Sequence, residues 1–155
     1  KTLSPSIRIS YMVLPQALMA RFREKLGFYG CTVPSFEQYT LAYFLDRGYF
    51  EKHINRMRKF YRARRNRVIA MLERCPAAAK LTILEQDAGL HFLLKVETAL
   101  DDRALTALFA QSGLHVQPLS SFYTRQTEDC RGMLVINYSA VDERALEEGL
   151  GKLEI

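Results

Sequence analysis

The sequence has little with which to build a metal site or a covalent framework. Its three cysteines, Cys31, Cys75 and Cys130, are odd in number and far apart. They make neither a disulfide framework nor a zinc spacing, and read as reduced thiols of a cytosolic protein. His53, His91 and His115 form no cluster in the sequence, so no metal site is expected. No segment reaches the roughly 18 apolar residues that span a bilayer, and no signal-peptide core opens the chain. No membrane association is therefore expected. A glycine-rich phosphate loop, a Ser/His/Asp order and an internal repeat are also missing.

What remains is ordinary globular composition: 155 residues, 48% hydrophobic and 25% charged. This excludes a disordered tail, a collagen-like chain and a low-complexity linker. The length suits one domain, or a small domain with a piece of another. The first residue is Lys1 rather than Met, and the chain is read as a piece of a longer protein. The 22 Lys and Arg against 17 Asp and Glu leave a net charge of +5, which permits a nucleic-acid partner without requiring one.

Residues 7–14, IRISYMVL, alternate and then run apolar between Pro5 and Pro15, which predicts a strand. A short helix is expected over 16–27, with Leu18, Phe22 and Leu26 on one face and Gly27 as its stop. Ser35 reads as an N-cap, with Gln38 completing a capping box, and the helix runs to Arg47 before Gly48. A long helix follows over 49–74. Phe50, Ile54, Met57, Tyr61, Val68 and Leu72 share its apolar face, and Pro76 forbids its continuation. Beyond residue 78 the pattern changes. Strands are expected at 81–86 and 90–96 around a turn at Asp87–Gly89, then a helix capped by Asp101 or Asp102 and ended by Gly113. Strands at 114–119 and 133–139 and a helix capped by Asp142 complete the chain. The second half is thus β-β-α-β-β-α, a compact α+β unit. The first half has a strand without partners, which reads as the edge of a larger α/β domain.

The chemistry is concentrated in the first fifteen residues, KTLSPSIRISYMVLP. A lysine amine condenses with aldehydes, and the more readily when its pKa is depressed. An arginine fork binds phosphate. Lys1 and Arg8 at one end of a strand would together suit a phosphorylated aldehyde. Elsewhere, Arg56, Arg58, Lys59, Arg62, Arg64, Arg65 and Arg67 give the long helix a basic face. Such a face could meet DNA phosphates, or be a solvated surface paired with acidic neighbours. His91 reads as a structural residue.

The opening stretch resembles the lysine motif of fold-type I, pyridoxal-phosphate (PLP) enzymes of the class I/II aminotransferases, S-K-x-L-x-P-G-L-R-x-G-Y-x-x-x-P. Lys1, Leu3, Pro5, Ile7, Arg8, Tyr11 and Pro15 fall in register. Ser6 and Ser10 stand where glycines are common. The long helix, the stretch DAGLHFLLKV (87–96) and LVINYS (134–139) resemble most the MocR subgroup of GntR-family regulators. Those proteins join a winged helix-turn-helix to an aminotransferase-like domain. The resemblance implies three parts: an edge of the large PLP-binding domain over 1–48, a connecting helix over 49–76 and a small domain over 77–155. It also implies that Lys1 is the Schiff-base lysine and acid–base group, and that Arg8 contacts the cofactor phosphate. Many relatives bind the substrate carboxylate with an arginine in the last strand. Val135 stands at that position here, and Arg131, with Arg125 as the other candidate, is taken as the substitute.

The function implied is a PLP-binding, amine- or amino-acid-sensing domain of a cytoplasmic transcriptional regulator. The alternative is a true aminotransferase. DNA would be met only through an upstream domain, and a homodimer is expected. The ring-stacking aromatic and the aspartate for the pyridine nitrogen would lie upstream of Lys1. The 155 residues alone are therefore expected to bind PLP poorly and to lack turnover.

Overall fold

A computed structural model of the chain describes residues 3–4, 6–85, 87, 89–124 and 130–154. The chain forms two compact units, residues 1–58 and 59–155.

In the first unit, residues 7–14 have no sheet partner among the described residues and form no strand. The alternating pattern is there, but a strand exists only when a neighbour takes up its N–H and C=O groups. The helix α1 (Gln16–Leu26) begins after Pro15, whose φ of −56° already suits a helix. It ends where the Gly27 N–H donates to the Arg23 carbonyl at 3.0 Å. The helix α2 (Ser35–Asp46) departs from the expected capping box. Pro34 holds the N-cap position with φ −54°, and no side chain caps the helix. Proline fixes the entry angle one residue early and draws Ser35 into the first turn. The Gln38 side chain instead donates to the Val33 carbonyl at 2.8 Å. Gly48, at φ +68°, ends this helical run in the left-handed region that glycine adopts freely. Neither α1 nor α2 has a buried residue. Tyr11, Val13 and Phe36 are 92%, 82% and 80% exposed.

The helix α3 (Tyr49–Leu72) passes through the boundary between the units. The second unit then contains β1 (Leu81–Leu84), β2 (His91–Val96), α4 (Asp102–Gln111), β3 (Gln117–Pro118), β4 (Met133–Asn137) and α5 (Glu143–Gly151). The β-β-α-β-β-α order is the one expected. The strands form one sheet in the order β1-β2-β4-β3, with antiparallel pairing throughout. β3 is much shorter than expected. The Leu114 N–H still belongs to the end of α4, donating to the Phe109 carbonyl at 2.9 Å, and Pro118 has no N–H to offer a ladder.

Register sorts the sheet into two faces. Phe92 pairs with Ile136 and Leu94 with Leu134, and this face joins Val68 and Leu72 of α3, Leu105 and Phe109 of α4, and Leu150 of α5 in one core. The opposite face carries Leu84, Leu93, Met133 and Val135, with His91 beside Asn137 at one end. It contributes to the lining of an open groove that Leu119, Phe122 and Tyr123 also line. The polarity of each strand thus follows from its period-two alternation.

Candidate cofactor and ligand site

Lys1 and Arg125 lie outside the described residues. Arg8 is exposed, on the stretch without regular secondary structure that precedes α1. Just before it, the Ser4 and Ser6 hydroxyls are hydrogen-bonded at 2.7 Å and the Ile7 N–H donates to the Ser4 carbonyl at 3.3 Å. Among the described residues the Arg8 guanidinium has no hydrogen-bond or ion-pair partner. A free planar fork of donors in open space matches the charge and shape of a phosphate group.

In the second unit, Val135 sits at the middle of β4, between Leu93 of β2 and Gln117 of β3. No cation occupies that position. Arg131 lies in the turn just before β4, exposed, and its Nη2 donates to the Ala99 carbonyl at 3.1 Å. That single bond orients the guanidinium and leaves its remaining N–H groups without a partner among the described residues. The two adjacent aspartates at the start of α4 have separate tasks. Asp101 caps the helix, accepting from the Ala104 N–H at 2.7 Å. Asp102 accepts from the Ser120 hydroxyl and from the Gly132 N–H, the latter at 3.3 Å. The sequence reading missed this second role. Its signal is that one helix start can use only one capping carboxylate, so the second is free to bind elsewhere.

The basic face of α3 is partly structural. Arg64 donates to the Val141 carbonyl. Arg65 approaches Asp87 at 3.9 Å and its side chain meets Asn66 at 3.3 Å. Arg67 grips Glu143 with three contacts of 2.8–3.0 Å. Those hydrogen bonds hold the Glu143 carboxyl below its usual range, and Glu143 in turn raises the Arg67 guanidinium. Arg64 and Arg67 thus tie α3 to the start of α5. His91 is exposed at the end of β2 rather than enclosed. Among the described residues no group of His, Cys, Asp or Glu could hold a metal ion. No described helix is long and apolar enough to cross a membrane.

A four-stranded antiparallel sheet with helices packed on one face, entered by a long helix, defines the C-terminal part of a fold-type I aminotransferase domain. The chain belongs to the aminotransferase class I and II family, which residues 3–153 match. It is 34% identical over 154 residues to the uncharacterized HTH-type transcriptional regulator YdeL of Bacillus subtilis, covering 99% of this chain and 33% of that protein. It is 33% identical to the probable rhizopine catabolism regulatory protein MocR of Rhizobium meliloti, covering 99% of this chain and 30% of that one. The chain thus spans about a third of the length of these relatives. Among solved structures, the kynurenine aminotransferase of Pyrococcus horikoshii, in complex with PMP, is 27% identical with a TM-score of 0.58, over 71% of this chain and 26% of that one. The α-aminoadipate aminotransferase LysN of Thermus thermophilus shares the fold at 20% identity and a TM-score of 0.64, over 90% of this chain and 35% of that one. The family implies a PLP-type cofactor, and the donor set of Arg8 fits its phosphate.

Proposed function

We propose that the chain is the C-terminal part of the aminotransferase-like domain of a cytoplasmic, homodimeric GntR/MocR-type transcriptional regulator. In this reading it senses an amine or amino acid through PLP. The observation that carries it is the likeness, above 30% identity along nearly the whole chain, to HTH-type regulators. Residues 1–48 would be the edge of the large PLP-binding domain, 49–76 the connecting helix and 77–155 the small domain. DNA would be contacted by a domain upstream of Lys1.

PLP supplies an aldehyde that captures amines and a ring that withdraws electrons. Lys1 would hold the cofactor through Nζ and would accept or return a proton there. Arg8 would neutralise and orient the phosphate through its free fork. Arg131, already oriented by Ala99, would bind a ligand carboxylate with its remaining N–H groups. With Val135 in β4, no strand-borne arginine competes for that role.

Full-length protein mixed with its own promoter DNA tests the reading. PLP together with an amine ligand should shift DNA affinity by about tenfold, in the usual range of coupling between sites, without sustained keto-acid release. A second reading, a true aminotransferase, draws on the likeness to the kynurenine enzyme. Steady keto-acid production with ligand-independent DNA affinity would establish it and overturn the regulator reading.

A further inference from the structure

We infer that Asp102 is a positioning residue for ligand recognition, and that it acts by fixing the turn that presents Arg131. The inference rests on the proposed role of Arg131 and deepens it.

Residues 119–124, which follow β3, and residues 130–132, which lead into β4, meet at one carboxylate. In the first stretch is Ser120, whose hydroxyl donates to Asp102 Oδ2. Ser120 is a buried polar residue, 7% exposed, and a buried hydroxyl without a partner is costly. In the second is Gly132, whose N–H donates to Asp102 Oδ1 at 3.3 Å. Two further bonds secure the second stretch. The Val96 N–H donates to the Gly132 carbonyl at 2.8 Å, and Arg131 Nη2 donates to the Ala99 carbonyl at 3.1 Å. Gly132 is itself held in the left-handed region at φ +70°, with so little room that a Cβ would lie 2.8 Å from the Val96 carbonyl oxygen.

Arg131 therefore stands one residue from a backbone atom bound to Asp102, on a turn that cannot rotate freely. A flexible arginine loses several rotatable bonds of freedom when it grips a carboxylate, and a fixed base reduces that loss. Asp102 has no need to touch the ligand. Its charge accepts two hydrogen bonds, and bonds to a charged acceptor are the stronger kind. Asn at this position keeps one carbonyl acceptor and loses the anionic one.

The test uses two probes on full-length protein freed of cofactor: N-phosphopyridoxyl-L-leucine and N-phosphopyridoxyl-isoamylamine. They share ring, phosphate and alkyl chain and differ by one carboxylate. Calorimetry gives the affinity of each for wild type, Asp102→Ala, Asp102→Asn, Ser120→Ala and Arg131→Gln. Wild type should favour the leucine adduct. Asp102→Ala should lower that preference by about tenfold, the scale of a lost charged hydrogen bond, with the isoamylamine adduct unchanged. Ser120→Ala and Asp102→Asn should move it in the same direction by less, and either decides the matter should Asp102→Ala not fold. Arg131→Gln should abolish the preference.

If the Asp102 and Ser120 variants weaken both adducts equally, or neither, while Arg131→Gln removes the preference, Asp102 is merely structural and the inference is overturned with the Arg131 reading intact. If Arg131→Gln leaves the preference unchanged, the Arg131 reading fails and the inference fails with it. If neither adduct binds wild type, the cofactor reading itself is wrong, and the inference falls on that ground.

Discussion

At the scale of single residues, adjacent positions of like chemistry divide their work. Asp101 and Asp102 are interchangeable as sequence signals for a helix start, and the structure separates them: one caps α4, the other reaches across to Ser120 and Gly132. That reach was illegible in the sequence because its partners lie 18 and 30 residues away. The family was legible because the residues that carry the resemblance are local and in fixed register. Gly132 offers a sharp check on the turn. Its φ of +70° and the 2.8 Å approach to the Val96 oxygen leave no place for a side chain. Gly132→Ala should destabilise the second unit by about 1–3 kcal/mol, the usual cost of a strained backbone position, as measured by chemical denaturation. A change within experimental error would show that the turn relaxes freely.

At the scale of elements, the second unit was read well and the first unit less so. The second unit's strands and helices announce themselves through period-two and period-3.6 patterns and through Asp caps at Asp101 and Asp142, both of which accept helix N–H groups. The strand expected at 7–14 does not form, since pattern alone supplies no hydrogen-bonding neighbour. The Ser35 cap failed because Pro34 starts the helix first. Between elements, Arg67 of α3 and Glu143 of α5 form an exposed pair whose strength depends on pH. Hydrogen bonding to Arg67 lowers the folded-state pKa of Glu143. Its contribution is thus complete above the unfolded carboxylate value of about 4.3 and is lost as pH falls through the lower folded value. The stability difference between wild type and Glu143→Gln should be constant near neutrality and close progressively in acid. Because the pair is exposed, salt should shrink it too. A difference that persists unchanged in acid would assign the effect to packing rather than charge.

At the scale of the whole molecule, the two units differ in kind. The second holds a core in which Phe92, Leu94, Leu105, Phe109 and Leu134 are fully enclosed. In the first, α1 and α2 have no fully buried residue, and aromatic residues such as Tyr11, Phe36 and Tyr39 are exposed. Large apolar side chains exposed in such number are commoner where a further surface covers them than on a free one. Such exposure agrees with a chain that spans about a third of the length of its regulator relatives. Sequence reasoning reached the family through motif and order of elements, and the match over residues 3–153 bears that out. The pairwise ties that organise Arg131 needed coordinates.

Every role proposed for the cofactor depends on Lys1 holding PLP. The full-length protein, saturated with PLP, reduced with borohydride and digested, gives a direct answer by peptide mass spectrometry. One phosphopyridoxyl group per chain is expected, on the Lys1 side chain, and it should be lost in Lys1→Ala. Full modification elsewhere, or none at saturating PLP, would contradict that role.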